Sequence, residues 1–331
     1  MKVLLWEYAS GGAMKELDTD ILAEGYGMLY SLVKSISGKH EVVVPVDKRL
    51  NFHSSLKIDP ENENYIEVLE EEVENVDSAL IIAPESNFEL YNIVKILENN
   101  SNLLNSKSNF IYDNTDKSIM YKKLKNVNIP ETVIVKNKEI TLDPPFIVKP
   151  LDGVSCAGVS LVRDEGDYMP ALKKVREESN FEKFIVQEYI EGVHLSVSMI
   201  FGEDVYPISL NRQLIDLNDF KYLGGELPVD HKFKKEIFEE AIKAVECFKG
   251  ANGYVGVDIV YSDVPYVIEI NPRITTPIIG LCEILDDMGD FIAKNTVYGP
   301  IKFKCRVRFK KSRDATIAPL KDSIGIKVEK I

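Results

Sequence analysis

Short apolar runs alternate along the first third of the chain with segments whose apolar residues recur every three or four positions. This pattern predicts a strand over 2–8, a helix over 19–36 capped by Thr19 or Asp20, a strand over 41–46 and a helix over 65–73. A strand over 79–84, a helix over 88–97 and a short strand over 110–113 follow. Apolar strands that alternate with helices argue a parallel α/β sheet. Ligands of such sheets bind beyond the C-terminal strand ends. Two loops stand there, Glu7-Tyr8-Ala9-Ser10-Gly11-Gly12 and Pro84-Glu85-Ser86-Asn87. Their glycines and small polar residues suit close approach to a ligand, and a plain turn accounts for either loop equally well.

Residues 102–109 are rich in Asn and Ser and read as a linker, after which the pattern changes. A helix runs from Thr115-Asp116-Lys117 to Lys125. Strands follow over 131–135, 145–149, 158–162 and 183–189, then a strand pair over 196–201 and 205–210 and a helix over 234–248. A hairpin over 255–261 and 265–271 closes the series. Over 301–310, odd positions are apolar and even positions cationic, a strand with one basic face. Such a strand suits a sheet edge protected by charge, or a docking face for an anion or acidic partner.

The hairpin carries the densest chemistry. Strand alternation points Glu269 and Asn271 the same way. A register with Tyr261 opposite Tyr266 also sets Asp258 opposite Glu269 and Gly256 opposite Asn271. Opposed side chains are about 5 Å apart at Cβ, so two carboxylates there repel unless a cation lies between them. Three oxygen donors on one face suit Mg²⁺ or Mn²⁺. A half-exposed hairpin with polar residues facing water fits the same pattern.

Bulk properties narrow the classes. With 331 residues, about two domains are expected. A formal net charge of −13 argues against a nucleic-acid partner. Cys156, Cys247, Cys282 and Cys305 are scattered without metal-ligand spacing, no apolar run reaches membrane-span length, and the N-terminus lacks a signal-peptide pattern. A cytoplasmic enzyme of small molecules is expected, with a homo-oligomer left open. No glycine fingerprint follows the first strand, which disfavours a nicotinamide cofactor.

Lys149 ends an apolar strand and precedes Asp152-Gly153-Val154-Ser155-Cys156-Ala157-Gly158. A lysine beside a glycine loop can pair with phosphates that backbone N–H groups cradle, and an ordinary hairpin with an exposed lysine has the same sequence. Val186-Gln187-Glu188-Tyr189-Ile190 ends another apolar strand with polar groups, which suits reading of an adenine edge.

Taken in order, Asp116-Lys117, Val148-Lys149-Pro150 with its glycine loop, Gln187-Glu188-Tyr189-Ile190, Lys221-Tyr222-Leu223-Gly224-Gly225-Glu226, Asp258 and Glu269-Ile270-Asn271-Pro272-Arg273 resemble the ATP-grasp family. The resemblance covers roughly 106–298. It implies an α/β fold, α+β in the ATP-grasp part, with an N-terminal parallel α/β domain over 1–105 and a two-lobed ATP-grasp domain over 106–298. The small lobe spans about 116–190 and the large lobe about 191–298, and a tail over 299–331 follows. It also implies ATP and two divalent cations, Mg²⁺ or Mn²⁺. Lys117 and Lys149 would hold phosphates, Gly153, Ser155 and Gly158 would form a flap, and Gln187, Glu188 and Ile190 would bind adenine. His194 stands where many relatives carry a ribose-binding Glu. Lys221 would approach the γ-phosphate, and Asp258, Glu269 and Asn271 would hold the metals. Arg273 would stabilise an acyl phosphate or position the carboxylate, with Arg212 a further charge.

The implied reaction joins a small-molecule carboxylate to an amine. Leu5-Trp6-Glu7-Tyr8-Ala9-Ser10-Gly11-Gly12, His194-Leu195-Ser196, Ser209-Leu210-Asn211-Arg212-Gln213 and Asn271-Pro272-Arg273-Ile274-Thr275-Thr276 are similar to family members that join the glutamate γ-carboxylate to tyramine in methanogen methanofuran biosynthesis. On that reading Glu7, Tyr8 and Glu85 contact an ammonium or phenol group, with Ser10 and Gly11 in the same loop. A ligase of the D-alanine–D-alanine type and a non-catalytic nucleotide sensor are the alternatives. A biotin-dependent carboxylase would need a carrier motif that this chain does not show.

Overall fold

The computed structural model describes residues 1–54, 56–99, 103–136, 140, 142–154 and 156–331. The first unit contains β1 (Lys2–Glu7), α1 (Thr19–Ile36), β2 (Glu41–Val43), β3 (Val46–Asp47), β4 (Lys57–Ile58), α2 (Tyr65–Val73), β5 (Ser78–Ile82), α3 (Glu89–Leu97) and α4 (Ser108–Thr115). β1 is flanked by β2 and β5, all parallel, and β5 is wholly buried. Alternating β1 residues feed two cores: Val3 and Leu5 pack with α1, while Leu4 and Trp6 pack with α2 and α3.

Four expectations change here. Asp18, rather than Thr19 or Asp20, caps α1 by accepting from the N–H groups of Asp20 and Ile21, a contribution of about 1 kcal/mol. The stretch 41–46 breaks after Val43 into two strands. The expected strand over 110–113 is helix α4, because a helix turns the adjacent Phe110 and Ile111 into two different cores. The 102–109 stretch already turns helical at Ser108, and 100–102 lie outside the described residues.

The second unit begins with α5 (Lys117–Lys123). Then come β6 (Thr132–Val135), β7 (Phe146–Pro150), β8 (Ser160–Val162), α6 (Glu165–Glu178) and β9 (Phe184–Glu188). These strands form an antiparallel sheet in the order β6-β9-β7-β8, with α6 on its core. β10 (Val193–Phe201), β11 (Val205–Asp216), β12 (Lys221–Leu227), α7 (Lys234–Glu246), β13 (Gly253–Tyr261), β14 (Pro265–Asn271), α8 (Ile278–Ile284), α9 (Met288–Lys294), β15 (Val307–Ser312) and β16 (Gly325–Lys330) complete the chain. Their strands make a seven-stranded sheet, β14-β13-β10-β11-β12-β15-β16. One face packs on α7; the other joins α1, α8 and α9.

The basic-faced strand is therefore no sheet edge: β15 lies between β12 and β16, and it starts at Val307. The register lines up Arg212, Glu226, Arg308 and Glu329 on successive strands. Opposed charges of alternating sign stabilise such a row, and Arg308 Nη2 meets Glu226 Oε1 at 2.5 Å.

The hairpin register holds with one correction. Tyr261 faces Pro265 and Val260 faces Tyr266, one residue from the expected pairing. A bulge at Ile268 absorbs the difference, so Asp258 still faces Glu269 and Gly256 still faces Asn271. The Ile268 carbonyl, released from the ladder, accepts from the Tyr121 hydroxyl at 2.5 Å.

Candidate active site between the two sheets

A cleft of about 1280 Å³, including its open mouth, lies between the four-stranded and seven-stranded sheets. β7 brings Lys149, α5 brings Lys117, β9 brings Gln187, and β13 and β14 bring Asp258, Glu269 and Asn271. Gly153, Glu188, Ile190, His194 and Arg273 line the same space. The side chains that the sequence placed apart, from position 117 to position 273, thus converge.

Lys117 is buried, donating to the Gly153 carbonyl at 2.8 Å and pairing with Glu269 Oε1 at 2.8 Å. Burial opposes its charge, yet Glu269 outweighs that and holds the ammonium above its ordinary range. Among the described residues Lys149 donates to neutral partners, the Tyr121 hydroxyl and Gln187 Oε1, each at 2.9 Å. Burial pushes its pKa down to about 7, against the pull of Glu269. Gln187 is held in turn by donating to Thr132 Oγ1 at 2.8 Å. His194, mostly buried on β10, is kept below its ordinary pKa by desolvation.

Burial, with Glu269 close by, raises Asp258 to about 7. A carboxylate in that position needs a proton or a cation. Among the described residues no group of three or more His, Cys, Asp or Glu side chains is placed to hold a metal ion; the oxygen donors available here are two carboxylates and the Asn271 amide. Hard oxygen donors with an ionisation conflict between them fit a divalent cation of the Mg²⁺ or Mn²⁺ kind. Gln213 donates to Asp258 Oδ1 at 3.0 Å and fixes its orientation.

Arg273 follows β14 and is part-buried against Glu85: its Nε donates to Glu85 Oε2 at 2.7 Å and its Nη1 to the Ile274 carbonyl at 3.1 Å. Burial works against this guanidinium too, and Glu85 more than restores it. Glu85 Oε1 is buried with no hydrogen-bond partner among the described residues.

The remaining expected residues sit elsewhere. Glu7 is buried and uses both oxygens on its own loop, accepting from Ala9 N at 3.1 Å and Ser10 N at 2.8 Å. It lies so close to α1 that a Cβ on Gly25 would come within 2.3 Å of it. Gly11 accepts from the Trp6 indole at 2.9 Å, the Ser10 carbonyl accepts from Asp47 N at 2.8 Å, and Tyr8 packs edge-on to Trp6. None of these four lines the cleft. Nor do Gly158, Lys221 and Arg212, and Ser155 lies outside the described residues. Alternation explains the two β-strand cations: their sequence neighbours Tyr222 and Gln213 face the cleft instead. Gln213, Tyr222 and Tyr121 were not singled out from the sequence. The strand period offered a signal for Gln213, since Ser209, Asn211 and Gln213 form a polar row on one face.

The sequence profile of the ATP-grasp domain matches residues 114–277. The chain is 38% identical over 316 residues to the tyramine–L-glutamate ligase of Methanocaldococcus jannaschii, covering 92% of each chain. It is 36% identical over 312 residues to the enzyme of that name from Methanocaldococcus fervens, covering 91% of this chain and 96% of the relative. The crystal structure of a protein assigned to the ATP-grasp superfamily from Archaeoglobus fulgidus superimposes with a TM-score of 0.80 at 33% identity, over 100% of this chain and 99% of that one. Sequence likeness over nearly the full length, a matching fold and the converging cleft residues agree: the chain belongs to the ATP-grasp family.

Proposed function

We propose that this chain is an ATP-dependent carboxylate–amine ligase that joins the γ-carboxylate of glutamate to tyramine, a step of methanofuran biosynthesis. One observation carries the chemistry: three cations, the buried Lys117 and Lys149 and the part-buried Arg273, face Asp258, Glu269 and Asn271 across a single cleft. The substrate pair rests on the likeness to the two Methanocaldococcus enzymes.

In this reading the adenine lies along Gln187, Glu188 and Ile190, and the phosphates reach Lys117 and Lys149. Asp258, Glu269 and Asn271 hold Mg²⁺ or Mn²⁺, which neutralises phosphate charge when bound. A γ-carboxylate oxygen attacks the terminal phosphorus as its bond to the bridging oxygen breaks, and ADP leaves. The amine nitrogen then attacks the acyl carbon and phosphate departs, carrying away the negative charge while the nitrogen loses its proton. Arg273 faces the charge that shifts between the acyl and phosphate oxygens. Lys149 binds the nucleotide as an ammonium, because phosphate oxygens favour its charged form. Glu85, with one oxygen on Arg273 and the other without a hydrogen bond among the described residues, suits a substrate ammonium.

The test is ADP release and product mass with ATP, Mg²⁺, glutamate and a panel of amines. Tyramine-stimulated ADP release with a glutamyl-tyramide product is expected. Dipeptide from alanine would instead support the D-alanine–D-alanine type, and nucleotide binding without turnover in every mixture would support a sensor.

A further inference from the structure

Asp152 stands between two of the cleft's cations without being assigned to either. It is buried, 3% exposed, just after β7. Its Oδ1 accepts from Ser179 Oγ at 2.7 Å and its Oδ2 from the Asn87 N–H at 3.3 Å. Its own carbonyl accepts from Ser86 Oγ at 3.4 Å. On one side it is bonded to Gly153, whose carbonyl holds Lys117. On the other, Ser86 and Asn87 continue directly from Glu85, which holds Arg273.

The segment that Asp152 grips is under tension. Asn87 and Phe88 are consecutive non-glycine residues with φ of 55° and 60°, a left-handed pair that persists only where the surroundings impose it. Phe88 stacks on Tyr112 and leans on Phe181, and Asn180 donates to Asn87 Oδ1 at 3.1 Å.

We propose that Asp152 is a positioning residue that sets the spacing between Lys117 and Arg273, and so couples phosphoryl transfer at one to amide formation at the other. This rests on the ligase reading above. When the link is cut, phosphoryl transfer at Lys117 continues, but Arg273 no longer holds the acyl phosphate in line for the amine. Water then attacks the acyl carbon, phosphate leaves, free glutamate is regenerated, and ADP is made without amide.

The readout is amide formed per ADP released at saturating glutamate and tyramine. Asp152→Asn keeps an oxygen for Ser179 Oγ and turns an amide N–H₂ toward the Asn87 N–H. Ser86→Ala removes the other strand of the same link and leaves the core intact. Both should lower amide per ADP, by about five-fold for Asp152→Asn, the weight of one hydrogen bond. Ser179→Ala, on the far side of Asp152, should leave the ratio unchanged. Loss of turnover at an unchanged ratio in both link variants overturns the proposal, as does an equal fall in Ser179→Ala. If tyramine fails to stimulate ADP release in the unaltered protein, the ligase reading fails instead.

Discussion

Glu85 and Arg273 lie 188 positions apart in sequence, yet the Glu85 carboxylate accepts the Arg273 Nε–H at 2.7 Å, with Glu85 buried and Arg273 part-buried. This pair ties the loop after β5 in the first unit to the end of β14 in the second. Removing one partner of a buried pair leaves the other charge unpaired. Glu85→Ala should therefore destabilise the fold by about 3 kcal/mol and raise the KM for the ammonium-bearing substrate. Denaturant unfolding and initial rates measure the two effects separately; unchanged stability would mean that Arg273 finds another carboxylate.

Gln213 orients Asp258 through a 3.0 Å hydrogen bond. Partners of this kind typically contribute 10–100-fold in metal affinity, so Gln213→Ala should raise the Mg²⁺ concentration for half-maximal turnover by about that factor. A Mg²⁺ titration at saturating ATP decides it.

Nucleotide binding should be coupled to a proton. The Lys149 ammonium, pushed down to about 7 by burial, is largely neutral at pH 8 in the free protein. Phosphates favour its charged form and raise its pKa. ATP binding at pH 8 should thus take up close to one proton, and the uptake should fade as pH drops below about 6, where the ammonium is already charged. Calorimetry in buffers of different ionisation enthalpy reads the proton count, and Lys149→Met should abolish it.

Glu7 makes a stability prediction. Burial raises its pKa from 4.5 to about 7, more than its backbone hydrogen bonds lower it. The folded state therefore holds the proton over a range in which the unfolded chain loses it. The corresponding stability is complete below about pH 4.5, declines as pH rises and is lost above about 7, a change of up to about 3 kcal/mol. Glu7→Gln should flatten the fall in thermal midpoint between pH 5 and 7 relative to the unaltered protein.

The expected hairpin shows where reading a sequence succeeds and where it stops. The opposition of Asp258 and Glu269 was legible because strand alternation fixes which side chains share a face. The turn was read one residue out, since no local signal marked the bulge at Ile268. That bulge depends on Tyr121, which captures the freed carbonyl from a helix far away in the sequence. Helix α4 was misread for a similar reason: Phe110 and Ile111 in a short apolar run suit a strand, and only packing against two cores selects the helix.

The sequence alone determined most of the alternating strands and helices of the first unit, the ordered set of Lys117, Lys149, Gln187, Asp258, Glu269, Asn271 and Arg273, and the chemistry those side chains offer. These follow from side-chain type and from periods of two and 3.6 residues, which are local properties. Tertiary structure alone decided that Glu85 meets Arg273, that Gln213 rather than Arg212 faces the cleft, and that Glu7 is spent on its own loop. It also decided that Asp152 lies between the two cations. Contacts between distant segments depend on how sheets and helices stack, and burial, which sets the charge of Lys149 and Asp258, exists only once they have done so.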